Sequence, residues 1–400
     1  AVTLNGGTIE RNVAGATVAN AISIGASGGT ILGRQVVDNY ADFSGQITGS
    51  GALTVQGLVT LSNNTNTYAG PLTISNASST YLRLSTNGVL GSTTDITFGG
   101  TNSRLRLDGG VTQTIDALSG TAGEVFMSAS GTPGTAATLK VGNDGSTSSY
   151  GGTFSNNDGQ LTLEKIGAGT LTLNRGAGNG AQITSVKVSA GKLVLDGNGP
   201  VAFDAGYFTG TQTYTVTTGG TLEINRAWNT RGANVYNING GTLSFTATAG
   251  DTNYVNNLNL TNGTVSGGEF RSGNNTLATH TFAGDSGNTI SSTLRLIKNI
   301  TPQTIRFDVA DGLAANDLTV SGIIKDDTSF TGSTVEKTGA GTMRVSNTNA
   351  YSGPTLISQG TLVTNTNNGL GTAGTVTLNS ATTSANNTAL YAQVASSGDL

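Results

Sequence analysis

A parallel β-helix with about 22 residues per coil is the fold class this sequence predicts. Three features of its 400 residues point there: strand-like alternations in place of helical periodicity, sixty glycines beside only 10% charged residues, and a glycine-led motif that returns at near-constant spacing. Runs such as Leu171-Thr172-Leu173 and Thr215-Val216-Thr217 alternate apolar with polar β-branched residues. That period of two marks a half-buried strand whose wet face suits Thr. Glycines interrupt nearly every window of ten, so no helix could propagate. Disordered chains share the low charge and the Gly, Ser, Thr and Asn content, but they lack regular alternation.

Composition removes several classes of function. The chain has no Cys and one His, which excludes disulfides and Cys-ligated zinc or iron–sulfur centres and leaves a single imidazole for any metal. Neither a metal nor a cofactor is expected. Its 19 Lys and Arg are scattered in a chain of net charge −4, which argues against nucleic acid as a partner. Apolar stretches reach only four residues or so, too short for a membrane-spanning helix.

The coil length comes from the repeat. Gly, usually Thr, then an aliphatic residue recur at Gly7, Gly29 and Gly51, each 22 residues after the last, and again from Gly169 to Gly191. Intervals of 29, 21 and 22 carry the motif on through Gly220 and Gly241 to Gly263, and further copies open at Gly341, Gly360 and Gly374. One corner glycine per 22 residues fits one coil of stacked parallel strands, with aliphatics inward and Thr, Ser and Asn outward. The interval of 29 marks an insertion loop over 200–210, and the phase blurs over 56–165 and 264–340. With no linker in sight, residues 1–400 are expected to form a single solenoid section. Ala1 begins inside a strand pattern and neither end carries a capping unit, so the chain is expected to be part of a longer one.

A longer repeat lies over the short one. Thr65-Asn66-Thr67-Tyr68-Ala69-Gly70-Pro71 returns as Thr348-Asn349-Ala350-Tyr351-Ser352-Gly353-Pro354. Lys165-Ile166-Gly167-Ala168-Gly169-Thr170 returns as Lys337-Thr338-Gly339-Ala340-Gly341-Thr342. These motifs resemble the autotransporter-associated β-strand repeat of bacterial passenger proteins, closely over 337–378, fairly over 49–98 and partially over 165–195. The resemblance implies a right-handed parallel β-helix, export to the bacterial cell surface, and an adhesive or structural role. It brings no catalytic residues. A stalk, fibre or adhesin section follows, with end-to-end or side-by-side self-association and with glycans or a host or neighbouring cell surface as partners.

Other chemistry was weighed residue by residue. Phe203, Tyr207, Phe208, Tyr214, Trp228, Tyr236 and Tyr254 crowd into an otherwise aromatic-poor chain, and Arg226 and Arg231 flank the only Trp. Trp228, Arg226, Arg231, Tyr236, Tyr207 and Phe208 therefore form a candidate ligand patch, and a glycan-binding module is an alternative function. Asp308, Asp311, Asp317, Asp326 and Asp327, with Arg306 and Lys325, would serve a β-helical polysaccharide-degrading enzyme if they converged; turn residues are the plainer reading. His280, between Thr279 and Thr281, is expected on an exposed strand position.

Overall fold

A computed structural model describes residues 1–12, 17–33, 40–77, 79–128, 135–156, 160–174, 183–196, 212–225, 234–246, 253–273, 277–297, 303–328, 331–372, 375–378 and 387–392. Every regular element among them is a β-strand, and every ladder between those strands is parallel. The fold is a parallel β-solenoid with coils of about 23 residues. Contacts gather into two compact units, Ala1–Gly210 and Thr211–Leu400.

In the first unit one strand turns a corner without ending. Leu53–Leu61 pairs through Leu53–Val55 with the strands Gly29–Gly33 and Leu72–Ile74, then through Leu58–Leu61 with Thr80–Leu84. The bend falls at Gly57, whose φ of +69° is left-handed and where a Cβ would lie 1.8 Å from the Gly33 carbonyl oxygen. Only glycine meets both conditions.

The same corner explains why the motif blurs after residue 56. The coils keep their length: Leu58 pairs with Tyr81 and Tyr81 with Arg104, each 23 residues on. The position in register with Gly57 becomes Thr80 and then Ser103, both fully buried. Their hydroxyls take over the corner's hydrogen bonds. Thr80 Oγ1 accepts from the Gly57 amide at 3.3 Å, and Ser103 Oγ accepts from the Gly100 amide at 3.2 Å while donating to the Ile74 carbonyl at 2.9 Å. Farther on, Thr112–Ile115, Ala136–Val141, Gln160–Lys165 and Ile183–Val188 stack as one face. Ser148–Tyr150, Thr170–Asn174 and Gly191–Asp196 stack as another.

In the second unit the coils begin regular and then lengthen. Thr213 pairs with Val235 and Val235 with Asn257, 22 residues apart each time, whereas Thr304 pairs with Thr334, 30 apart. The extra length includes a third face built from Glu269–Ser272, Thr293–Leu296 and Ile324–Asp326. Inside, side chains of one parity pile into columns. Val216, Ile238, Leu260, Phe282 and Val309 form one, in successive register and all buried. Tyr214, Tyr236, Leu258, His280, Phe307 and Lys337 form its neighbour. The ladder spacing of about 4.8 Å is a good stacking distance for flat rings. Accordingly Tyr214 and Tyr236 lie 4.9 Å apart and 7° from parallel.

Two glycines separate the steric from the conformational demand. Gly88 has a φ of +63°, close to that of Gly57, but a Cβ there would have nothing within 4 Å. Gly88→Ala should cost about 1 kcal/mol, for the left-handed backbone alone. Gly57→Ala should cost at least about 3 kcal/mol, because the coils must also part. Denaturant unfolding of the two variants against the parent checks the difference.

Candidate functional site

Five of the six residues of the sequence-predicted ligand patch, Trp228, Arg226, Arg231, Tyr207 and Phe208, lie outside the described residues, as does the 200–210 insertion. Tyr236 is described, and it points inward. It shares the parity of Ile238 and is buried against Tyr214, so its ring is not a docking surface. Tyr214 is core for the same reason. Crowding of aromatics in sequence did not distinguish interior from exterior positions; strand parity does.

His280 likewise corrects its expectation. It is fully buried in the column between Leu258 and Phe307, with Nε2 3.0 Å from the Ser272 hydroxyl. The flanking Thr279 and Thr281 take the outward parity, which leaves the inward one to His280. Burial pulls its pKa from 6.5 to about 4, so it is neutral at physiological pH.

The acidic stretch does not converge either. Asp317 is buried and accepts from the amides of Gly312 (2.9 Å) and Thr342 (2.7 Å). Asp326 accepts from the Ser352 amide and hydroxyl. Asp327 faces Arg271 at 3.3 Å and Arg295 at 3.9 Å, while Arg295 and Lys325 hold Glu269 at 2.6 and 2.7 Å. Among the described residues no group of three His, Asp or Glu is placed to hold a metal ion.

What the repeated motifs do is visible in both copies. At the corner Glu-Lys-x-Gly-x-Gly-Thr, the Glu turns outward and the Lys inward. Lys165 continues the parity of Leu161 and Leu163, and Lys337 that of Val335; both lysines are buried. Each ammonium folds back onto the carbonyls of its own turn. Lys165 Nζ donates to Ile166 and Gly167, and Lys337 Nζ donates to Thr338 (2.7 Å), Gly339 (2.7 Å) and Gln359 (3.1 Å). Burial lowers the Lys337 pKa to about 8, against the opposing pull of Asp308 and Asp317. The partner glutamate joins three coils from outside. Glu164 lies 3.2 Å from Lys140 one coil back and accepts from Ser189 Oγ (2.6 Å) one coil on. Glu336 repeats this with Arg306 (2.9 Å) and Ser358 Oγ (2.8 Å). Burial would raise the Glu164 carboxyl, but Ser189, Lys187 and Lys140 outweigh it and hold it below the usual carboxylate range. The two glycines are where coils touch: a Cβ on Gly167 would meet the Gly142 carbonyl oxygen at 1.7 Å, and one on Gly341 would meet that of Ala310 at 2.3 Å.

The Asn-x-Tyr segment is a second stitch. Asn66 Oδ1 accepts from the Ile47 amide (2.7 Å) and its Nδ2 donates to the Val89 carbonyl (2.8 Å). Asn349 accepts from the Ile324 amide (2.8 Å) and donates to the Gly369 carbonyl (2.6 Å). Each asparagine thus ties the coil before it to the coil after it. Two residues on, the Tyr68 and Tyr351 rings are buried, and their hydroxyls close the following turn on the Pro71 carbonyl (2.7 Å) and on Thr355 Oγ1 (2.7 Å).

One exterior cluster went unrecognised in the sequence. The outward residues of Thr80–Leu84, Ser103–Asp108 and Glu124–Ser128 stand in two rows, Tyr81, Arg104, Glu124 and Arg83, Arg106, Phe126. Arg104 lies 4.8 Å from the Tyr81 ring centre, and Tyr40 has Arg83 and Arg106 at 5.7 and 5.6 Å. Asp108 pairs with Arg83 (2.7 Å) and Arg106 (3.1 Å), and Glu124 pairs with Arg104 (3.1 Å). The signal was Leu82-Arg83-Leu84 and Leu105-Arg106-Leu107, one coil length apart and so superposed.

The passenger-associated-transport-repeat family model matches residues 163–182 and 335–363, each match opening at the Glu-Lys corner. The repeat is autotransporter-associated and implies secretion to the outer membrane or cell surface. Neither the curated proteins nor the solved structures hold a match to the chain.

Asn349→Asp should cost at least about 2 kcal/mol in denaturant unfolding, since a carboxylate oxygen replaces the donor facing Gly369. Because the folded pKa of His280 lies below its unfolded value, its contribution is intact above pH 6.5 and lost as pH falls toward 4. The parent chain should therefore lose about 3 kcal/mol more over that window than His280→Leu, measured by denaturant unfolding at each pH.

Proposed function

For a chain that carries the passenger-associated transport repeat in two places within a parallel β-solenoid, we propose a non-catalytic role as a structural and adhesive section of a bacterial surface protein. It is held outside the cell and carries load between an anchor and whatever the surface meets. The observation that carries this reading is the use of the motif residues. Glu164, Lys165, Asn66, Tyr68 and their counterparts Glu336, Lys337, Asn349 and Tyr351 all bond within or between coils. A repeat whose signature residues close turns and tie neighbouring coils supports a mechanical rather than a chemical task. Without cysteines, cohesion rests on ladders that each strand shares with two neighbours, supplemented by these side-chain ties. Glycans or the surface of a neighbouring or host cell are the partners that fit, with self-association of chains as a further means of holding.

The test is display of residues 1–400 on a cell ahead of a membrane-anchored barrel. Displaying cells should bind abiotic or cell surfaces measurably more than barrel-only cells, and the chain should be cleaved when protease is added to intact cells. Release of reducing sugar from a polysaccharide by the purified chain, lost in Asp326→Ala, would overturn the reading in favour of an enzyme.

A further inference from the structure

We propose that the exterior face formed by Tyr40, Tyr81, Arg83, Arg104 and Arg106 is a binding site for acidic polysaccharide, a linear glycan bearing carboxylates such as a uronate polymer. It goes beyond the load-bearing role, requires no surface display, and lies wholly within the first unit.

Charge is the first argument. Arg11, Arg83, Arg104 and Arg106 gather around Tyr40 and Tyr81, with Asp108 and Glu124 as the carboxylates paired to them. Four guanidiniums against two carboxylates leave the face cationic in a chain whose net charge is −4. Arg11 sharpens the excess. It is only 6% exposed, and while its Nη1 donates to the Tyr40 carbonyl at 3.2 Å, its Nε and Nη2 have no hydrogen-bond partner. A buried cation with unused donors raises the local positive potential and favours an anion arriving above it.

Shape and chemistry select the class of anion. Arg104, at 41% side-chain exposure, and Arg83, at 27%, offer guanidinium edges to solvent beside half-buried tyrosine rings. Tyr40 and Tyr81 meet edge to face, 6.3 Å between centres and 88° between planes, and Phe126 stands edge-on to Tyr81 at 5.9 Å. Sugar C–H faces pack on such rings, and a guanidinium edge matches a carboxylate with two parallel hydrogen bonds. The rows run across the coils at the ladder spacing of about 4.8 Å, so an extended chain lying along them meets aromatic and cationic groups in turn. A nucleic acid backbone, with one charge per about 1.7 Å of duplex, calls for a denser basic face than a few partly neutralised arginines provide. A glycan with sparse carboxylates fits better.

Binding of the purified 400-residue chain to immobilised polygalacturonate at low salt tests the proposal, with neutral dextran and duplex DNA as comparison surfaces. Retention is expected on polygalacturonate and not on dextran. Arg104→Gln should weaken it about tenfold, while Arg344→Gln, which removes a cation from the second unit, should leave it unchanged. Because a variant can lose binding by misfolding, the parent chain supplies a second readout: polygalacturonate should protect Arg83 and Arg104 from phenylglyoxal. No retention, equal retention on dextran, tighter binding to DNA, equal losses in the two variants, or unprotected arginines would each overturn the assignment.

Discussion

Adjacent coils approach to the ladder distance of about 4.8 Å, and every specialised residue in this chain answers to that closeness. At the faces the approach is satisfied by strand pairing. At the corners the backbone bends while it is still in contact with the coil behind it, which leaves no room for a Cβ and strands polar groups away from water. Gly57, Gly167 and Gly341 meet the first difficulty by having no side chain. The hydroxyls of Thr80 and Ser103, the ammoniums of Lys165 and Lys337 and the amides of Asn66 and Asn349 meet the second. Glycine abundance and buried polar groups are thus two responses to one geometric demand.

A consequence is that the interior is not uniformly oily. Lys337 follows Phe307 in the same column that holds His280. Each polar intruder has a local reason, a turn full of carbonyls for the lysines and the Ser272 hydroxyl for His280. A buried charge is costly unless its hydrogen bonds are met, and the lysine donors are met by carbonyls of the corner they help to close. The exterior shows the converse. Glu164 and Glu336 are outward yet largely covered, because a cation one coil back and a serine one coil on close over them.

The coil length and the inward aliphatic columns could be read from the chain, because a period of two within strands and one near 22 between them survive in the residues themselves. Leu161-Thr162-Leu163 and Gly191 to Leu195 needed no structure to place. Less legible was any residue whose environment depends on the coil above or below. Lys165 looks like a surface residue until its parity with Leu163 is set beside the carbonyls of its own turn. Tyr236 looks like part of a docking patch until it is stacked on Tyr214. Arg83 and Arg106 are unremarkable 23 residues apart and become a cluster only once superposed in register. The blurred phase over 56–165 had the same origin: Thr80 and Ser103 replace glycine at a corner that persists.

The asparagine ties give the solenoid a texture that its uniform ladders would not. A stack joined only by backbone pairing can fray from an end one coil at a time, each loss costing about what the last one did. Asn66 and Asn349 interrupt that sequence, because each holds the preceding and the following coil through one side chain. An unravelling front that reaches such a residue has to release a knot spanning three coils before it can advance. The repeat therefore spaces ratchet teeth along the stack, and how many a chain carries sets how far damage at one end can travel.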